Sequence, residues 1–418
     1  MQPAPETPPP DVPKGAAHSG IGFREFVLMI SAMMAMNALA TDAMLPALGQ
    51  IGLSLGVPEE HRWQWIVTAF LLGFGAAQIV YGPLSDRFGR RPILAWGIIF
   101  YALANLASAV APTFELLLAS RVAQGIAIAS TRIVVVSVVR DCYAGRQMAR
   151  VMSLAFLVLL AVPILAPSLG QLIMLAAPWR AIFAALAVYG VVVLWWLLRR
   201  LPETLHPEYR RPINVASIAS AMRRTLSERQ SLGYTLAQTL MISAVYAYIN
   251  SMPLIFNDVF KAPALFPLIF ALTGMALAVS ALLNARIVVR VGTRRVSHTA
   301  LLVFILFAGI HTYVASHGEG VVTFTILQAM TMFCFALAAS NFGAMAMEPL
   351  GAIAGTAASV QGFVSTVVGA IVGFAISQRF DGTTLPMVAG FLACGVGALV
   401  IVLVTERFQL FHPRIGAP

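Results

Sequence analysis

Charge is scarce in this 418-residue chain: 11% of residues are charged, against 59% hydrophobic. A soluble domain carries roughly 25% charged residues, so a water-soluble fold is excluded. Cysteine is sparse too. Cys142, Cys334 and Cys394 are scattered and odd in number, which leaves no disulfide framework and no metal-binding spacing. No HExxH, GxSxG or Walker-type phosphate loop occurs, and the seven histidines are dispersed. A membrane-embedded enzyme or an ATP-driven pump therefore lacks its chemistry, and no catalytic residue is expected. Strict apolar–polar alternation is missing, which disfavours a membrane β-barrel. No apolar run lies within residues 1–20, so a cleavable signal peptide is not expected there.

Long apolar runs dominate what is present. They fall at about 24–51, 62–82, 93–111, 114–138, 151–175, 180–198, 232–257, 264–287, 297–316, 321–343, 352–378 and 385–405. Each approaches the ~20 residues that cross ~30 Å of hydrocarbon as a helix. The expectation is an all-α membrane protein with twelve transmembrane helices. Residues 1–22 form a disordered cytoplasmic tail, 23–198 one six-helix bundle, 199–230 a cytoplasmic linker, 231–407 the second bundle and 408–418 a second tail.

Of the 27 Lys and Arg, 21 fall on the side of the termini, and only Arg62, Arg180, Lys261 and Arg379 on the other. The remaining two, Arg121 and Arg132, lie inside helix 4. Such a bias puts both termini in the cytoplasm. The net charge of +10 is thereby spent on topology in short loops rather than on one basic face, so nucleic acid is not an expected partner. The halves echo one another: GPLSDRFGRR (82–91) follows helix 2 and ARIVVRVGTR (285–294) follows helix 8. Arg87, Gly89 and Arg91 align with Arg290, Gly292 and Arg294. Internal repeats build transporters that rock about a central site.

Several residues carry chemistry. Asp42 is the one carboxylate deep in an apolar helix, where charge is expensive unless paired or wet. Asp42 and Arg121 sit at matching depth, roughly 10–14 Å below the outer surface, so the spacing allows a pair. That pair is either a proton- or substrate-coupling device or a static tie between helices 1 and 4. Arg132 follows Arg121 by eleven residues and shares its helix face. It either faces a central cavity or snorkels to the headgroups. The loop 82–92, with Gly82, Asp86, Arg87, Gly89, Arg90 and Arg91, is either a gating latch or a topology-setting basic turn. Pro163, Pro167 and Gly170 kink helix 5 and allow close packing. Met44, Tyr246, Tyr248, Asn250, Asn341 and Phe342 are candidates to line a drug-sized cavity, with plain helix packing as the alternative for each. Glu348, at the cytoplasmic end of helix 10, serves either a hydrogen-bonded latch or proton transfer.

GPLSDRFGRRP (82–92) resembles the signature loop of the major facilitator superfamily. Further segments are similar to its Bcr/CflA drug-resistance branch: ATDAMLPA (40–47), RVAQG (121–125), VRD (139–141), WRAIF (179–183), SMP (251–253) and MEPLGAIAGTAA (347–358). The resemblance covers about residues 22–405. Helix 5 departs from the superfamily's GPxxGG antiporter core, with Ala166 and Gln171 at two of the glycine positions. The resemblance implies two pseudo-symmetric six-helix halves in the bacterial inner membrane. It also implies a monomer that exports small hydrophobic drugs against protons, with lipid as surroundings and the proton gradient instead of a cofactor. Transport of a small, even anionic, metabolite is the alternative.

Overall fold

The computed structural model describes residues 21–143, 145–210 and 215–411. The expected tail at 1–20 and the end of the C-terminal tail lie outside them. Eleven described helices are long and apolar enough to cross a membrane. They are α1 (Phe23–Ser54), α2 (Glu60–Phe88), α3 (Arg90–Ala109), α4 (Phe114–Cys142), α6 (Arg180–Arg200), α7 (Arg229–Val259), α8 (Pro263–Val291), α9 (Thr293–Ser316), α10 (Val321–Leu350), α11 (Gly355–Ser377) and α12 (Leu385–Thr405). Between α4 and α6 runs α5 (Gly145–Ala176), apolar over Ala161–Ala176. No strand occurs among the described residues. The helices alternate in direction. Phe23 and Thr405 therefore lie at one end, called here the terminal end, and the other is the far end.

Local sequence explains the irregularities. The α-helical ladder of α1 stops at Asp42, passes through a single 3₁₀ turn at Leu45–Ala47, and resumes at Leu48. Pro46 is the cause: it has no N–H to donate, and its ring crowds the carbonyl four residues back, which is that of Asp42. The expected loop 82–92 is corrected. Helix α2 continues through Gly82 and Pro83 to Phe88, and α3 starts at Arg90. One residue makes the reversal, Gly89, with φ 101° and ψ 160°. Its repeat partner Gly292 joins α8 to α9 with φ 90° and ψ 149°. Both lie in a region that a side chain would strain. Pro163 and Pro167 sit inside α5, which stays helical through both. The linker is not wholly irregular: it holds a helix, Val215–Ser227, packed against the terminal ends of α7 and α11.

Packing divides the helices into two groups of six. In the first, α4 lies on α2 and α3, α3 on α6, and α1 on α5. In the second, α7 lies on α11 and α12, α9 on α10 and α12, and α8 on α10. The groups meet mainly along two seams, α2 with α11 and α5 with α8. Lipid is as apolar as leucine, so such seams hold by close packing and hydrogen bonds rather than by the hydrophobic effect.

Candidate functional site

Tyr246 of α7 marks the place where the halves converge. Its hydroxyl is within hydrogen-bonding reach of Thr366 in α11, and Asp42 and Arg132 of the first half lie within electrostatic range of it. Tyr248 also lies within electrostatic range of Asp42, and its hydroxyl is 2.5 Å from that of Thr273 in α8. Asp42 is buried at 5% exposure and makes no hydrogen bond to any described residue; its Oδ1 is enclosed without a partner. Arg132 is exposed yet close enough to act on Tyr246.

The space between the halves is closed at the far end. Gln64 of α2 donates to the Ser377 carbonyl at 3.3 Å and accepts from the Ser377 hydroxyl at 2.9 Å and the Gln378 amide at 2.6 Å. Gln378 also donates to the His61 carbonyl at 2.6 Å, and the rings of Trp65 and Phe374 lie 4.2 Å apart. Deeper along the same seam, Gln78 donates to Thr366 at 3.1 Å. Toward the terminal end, Arg132, Val136 and Arg140 of α4 are exposed.

The expected pairing of Asp42 with Arg121 is corrected. Arg121 is fully buried, but inside the first half. Its Nε donates to the Ile66 carbonyl at 3.1 Å, and Nη1 donates to Gln124, which in turn donates to Asn105. The guanidinium lies 4.6 Å from the Phe70 ring centroid and 5.9 Å from that of Phe183, with Nη2 unpartnered. Equal depth did not mean equal azimuth: the side chain turns to α2, α3 and α6, and away from Asp42. The shared stripe of Arg121 and Arg132 is likewise covered by α2 near the far end and bare near the terminal end.

The basic cluster forms a latch inside the first half. Arg90, 3% exposed, donates to Asp86 at 2.5 Å, to Ser85 at 2.7 Å and to Asp141 at 3.1 Å. Glu203, just past α6, accepts from the backbone N–H groups of Arg90 and Arg91 at 2.9 and 3.2 Å. Arg91 caps the Leu198 carbonyl at 2.7 Å, and Arg87 lies over the Phe88 ring. The second half repeats the plan. Arg294 donates to Glu348 at 3.3 Å and to Glu406 at 3.2 Å. Gln230 also donates to Glu348 at 2.6 Å, and Tyr234 to Glu406 at 2.6 Å. In each half one acid ends the fourth helix and another follows the sixth. Arg90, rather than the aligned Arg91, is the working counterpart of Arg294.

Residues 26–374 match the model of the family described as the Major Facilitator Superfamily. The chain belongs to that superfamily. Relatives include an uncharacterized MFS-type transporter, YdgK of Bacillus subtilis, 27% identical with 86% of this chain and 90% of the relative aligned. A bicyclomycin resistance protein homolog of Haemophilus influenzae is 27% identical over 87% and 91%. The multidrug resistance protein MdtL of Klebsiella pneumoniae is 30% identical over 56% and 58%. Such relatives are consistent with the Bcr/CflA branch. Among solved structures, the peptide transporter POT superposes with TM-score 0.73 at 16% identity, covering 94% and 96% of the two chains. The xylose transporter XylE of E. coli, in a partially occluded inward open conformation, gives 0.71 at 13% over 95% and 99%. At those identities the likeness is one of fold. The protein is a multi-pass inner-membrane transporter and not an enzyme.

Other residues of this superfamily member fall into place around the cleft. Gly170 brings α5 against the break in α1: a Cβ there would stand 1.7 Å from the Ala43 carbonyl oxygen. Gly373 repeats the contact in the second half, where a Cβ would stand 2.7 Å from the Ser243 carbonyl oxygen of α7. Of the lining candidates, Tyr246 is half-buried and faces the divide. Met44, Tyr248, Asn250, Asn341 and Phe342 are all buried. Phe342 packs its ring 5.5 Å from Tyr234, and Asn341 donates to Asn284 of α8 at 2.8 Å. Asn250 leaves both amide atoms unpartnered. Sequence reasoning missed Gln64, Gln78, Thr366, Ser377 and the Gln124–Asn105 relay. The available signal was amide side chains within otherwise apolar helices. Among the described residues no cluster of His, Cys, Asp and Glu could hold a metal ion.

Proposed function

We propose that this protein exports small, mostly apolar drugs across the inner membrane by alternating access, driven by protons moving inward. In this reading the chain crosses twelve times, acts as a monomer without a cofactor, and has its terminal end in the cytoplasm. The arginine excess at that end supports the orientation. The resistance proteins among its relatives support the substrate class.

The observation that carries the coupling is Asp42: a buried carboxyl without a hydrogen-bond partner among the described residues, at a break in α1 and within electrostatic range of tyrosines of the other half. An isolated carboxylate there is expensive, so the neutral acid fits the conformation closed at the far end. A drug arriving from the terminal end changes the surroundings of Asp42, and the proton leaves to the cytoplasm. Rocking then exposes Asp42 and drug to the outside, where the drug departs and a proton rebinds.

The test uses the full chain in liposomes with an imposed pH gradient, bicyclomycin and a lipophilic fluorescent dye as probes, and Asp42→Asn. Gradient-driven transport is expected to fall to background while the variant inserts normally; undiminished transport overturns the role of Asp42. An exposed Arg132 within electrostatic range of Tyr246 favours one second reading, a small organic anion as cargo. Selective transport of a sugar phosphate in the same vesicles would establish it.

A further inference from the structure

A groove of about 400 Å³ opens on the outside of the first half, away from the cleft. Its floor is one stripe of α1: Leu28, Ser31, Ala32, Ala35 and Leu39, at helical spacing of three and four. Leu165 and Leu169 of α5 are exposed on one wall, with Tyr189 and Trp196 of α6 on the other. Small floor residues and large walls make the trough. Ser31, 3% exposed, has its hydroxyl unpartnered in the floor. From Leu28 to Leu39 the trough runs roughly 16 Å at 1.5 Å per residue, about half of a ~30 Å hydrocarbon core. It therefore spans one leaflet, from the terminal end to mid-membrane.

The mouth at the terminal end is basic. Arg24, one turn before Leu28 on the same stripe, is exposed and makes no ion pair or hydrogen bond among the described residues. Arg199, three residues after Trp196, is exposed and lies over the Trp195 ring. Between them Glu25 is neutralised by Arg200 at 2.6 and 2.7 Å and accepts from Trp196 at 3.2 Å, which ties α1 to α6. Two guanidinium groups are left over for an anion at headgroup depth.

We propose that this groove is a binding site for one anionic glycerophospholipid of the leaflet at the terminal end. One acyl chain lies in the trough, and the phosphate sits on Arg24 and Arg199. A chain moved from bilayer to groove leaves one hydrocarbon for another and gains little. Selectivity therefore rests on the headgroup charge, through charge-assisted bonds to guanidinium.

Purified full-length protein, stripped of lipid in detergent, is offered equal phosphatidylglycerol and phosphatidylcholine of the same chains, and retained lipid is counted by native mass spectrometry. One phosphatidylglycerol is expected to remain, with a preference of about tenfold that Arg24→Ala with Arg199→Ala removes. Leu165→Trp, at an exposed wall position, and Ala32→Phe fill the trough. Each is expected to lose the lipid while keeping the wild-type thermal midpoint without lipid. Equal retention of the two lipids overturns the proposal, as does retention unchanged in a filled variant that keeps its midpoint. Binding of the lipophilic dye in the trough in preference to phosphatidylglycerol overturns it as well.

Discussion

Asp42 stands at the break in α1 and Gly170 packs against the next residue, Ala43, and the two differ in how openly the sequence announced them. A single acid within a long apolar run stands out by composition alone. Gly170 could be read only as permissive, because the Ala43 carbonyl it touches lies 127 residues away in the chain. Gly170→Leu drives a side chain into backbone that cannot retreat. The expected result is a loss of about 1–3 kcal/mol from overpacking, seen as a lower thermal midpoint in detergent, together with impaired transport. A variant as stable and active as the parent would mean that α5 stands off from α1. Arg121 shows where residue-level reading failed: depth follows from counting, whereas azimuth depends on which neighbours a helix acquires.

Among the elements, nearly all the helices were legible, since apolar length fixes a crossing almost by itself. Their ends were not. The basic stretch 82–92 reads as a loop, but a glycine at positive φ turns the chain in one residue, so helix runs almost to the turn on both sides. The two latches make a comparison available. Removing Arg90 leaves Asp141 at 16% side-chain exposure and Asp86 at 45%, where water can compensate. Removing Arg294 takes the guanidinium from Glu406 at 5%. Arg294→Ala should cost on the order of 3–5 kcal/mol and Arg90→Ala less, measured by thermal unfolding of each variant. The reverse order would show that burial of the acid does not set the cost of losing its arginine.

For the whole molecule, the division into six and six could be read from the polar linker, but the seams between the halves could not. Gln64 and Ser377 are 313 residues apart and lie in unrelated segments. Their contact at the far end tests alternating access directly. With Cys142, Cys334 and Cys394 replaced by serine, Gln64→Cys with Ser377→Cys should be cross-linked by an oxidant or a short bifunctional reagent. Transport in vesicles is then expected to stop, and to return on cleavage of the link. Unimpaired transport by the linked protein would mean that this seam never parts.

The placement of ionic bonds has a mechanical consequence. Every ion pair among the described residues joins groups of the same half or of the linker, while the hydrogen bonds across the α2–α11 seam come from amides and hydroxyls. Each half is thus riveted within itself and only lightly buttoned to the other. A rocking stroke can part the buttons without shearing a single rivet, so its work is set by hydrogen bonds between the halves, among them the one that joins the carboxyl groups of Glu60 and Asp258, by packing, and by whatever occupies the cleft.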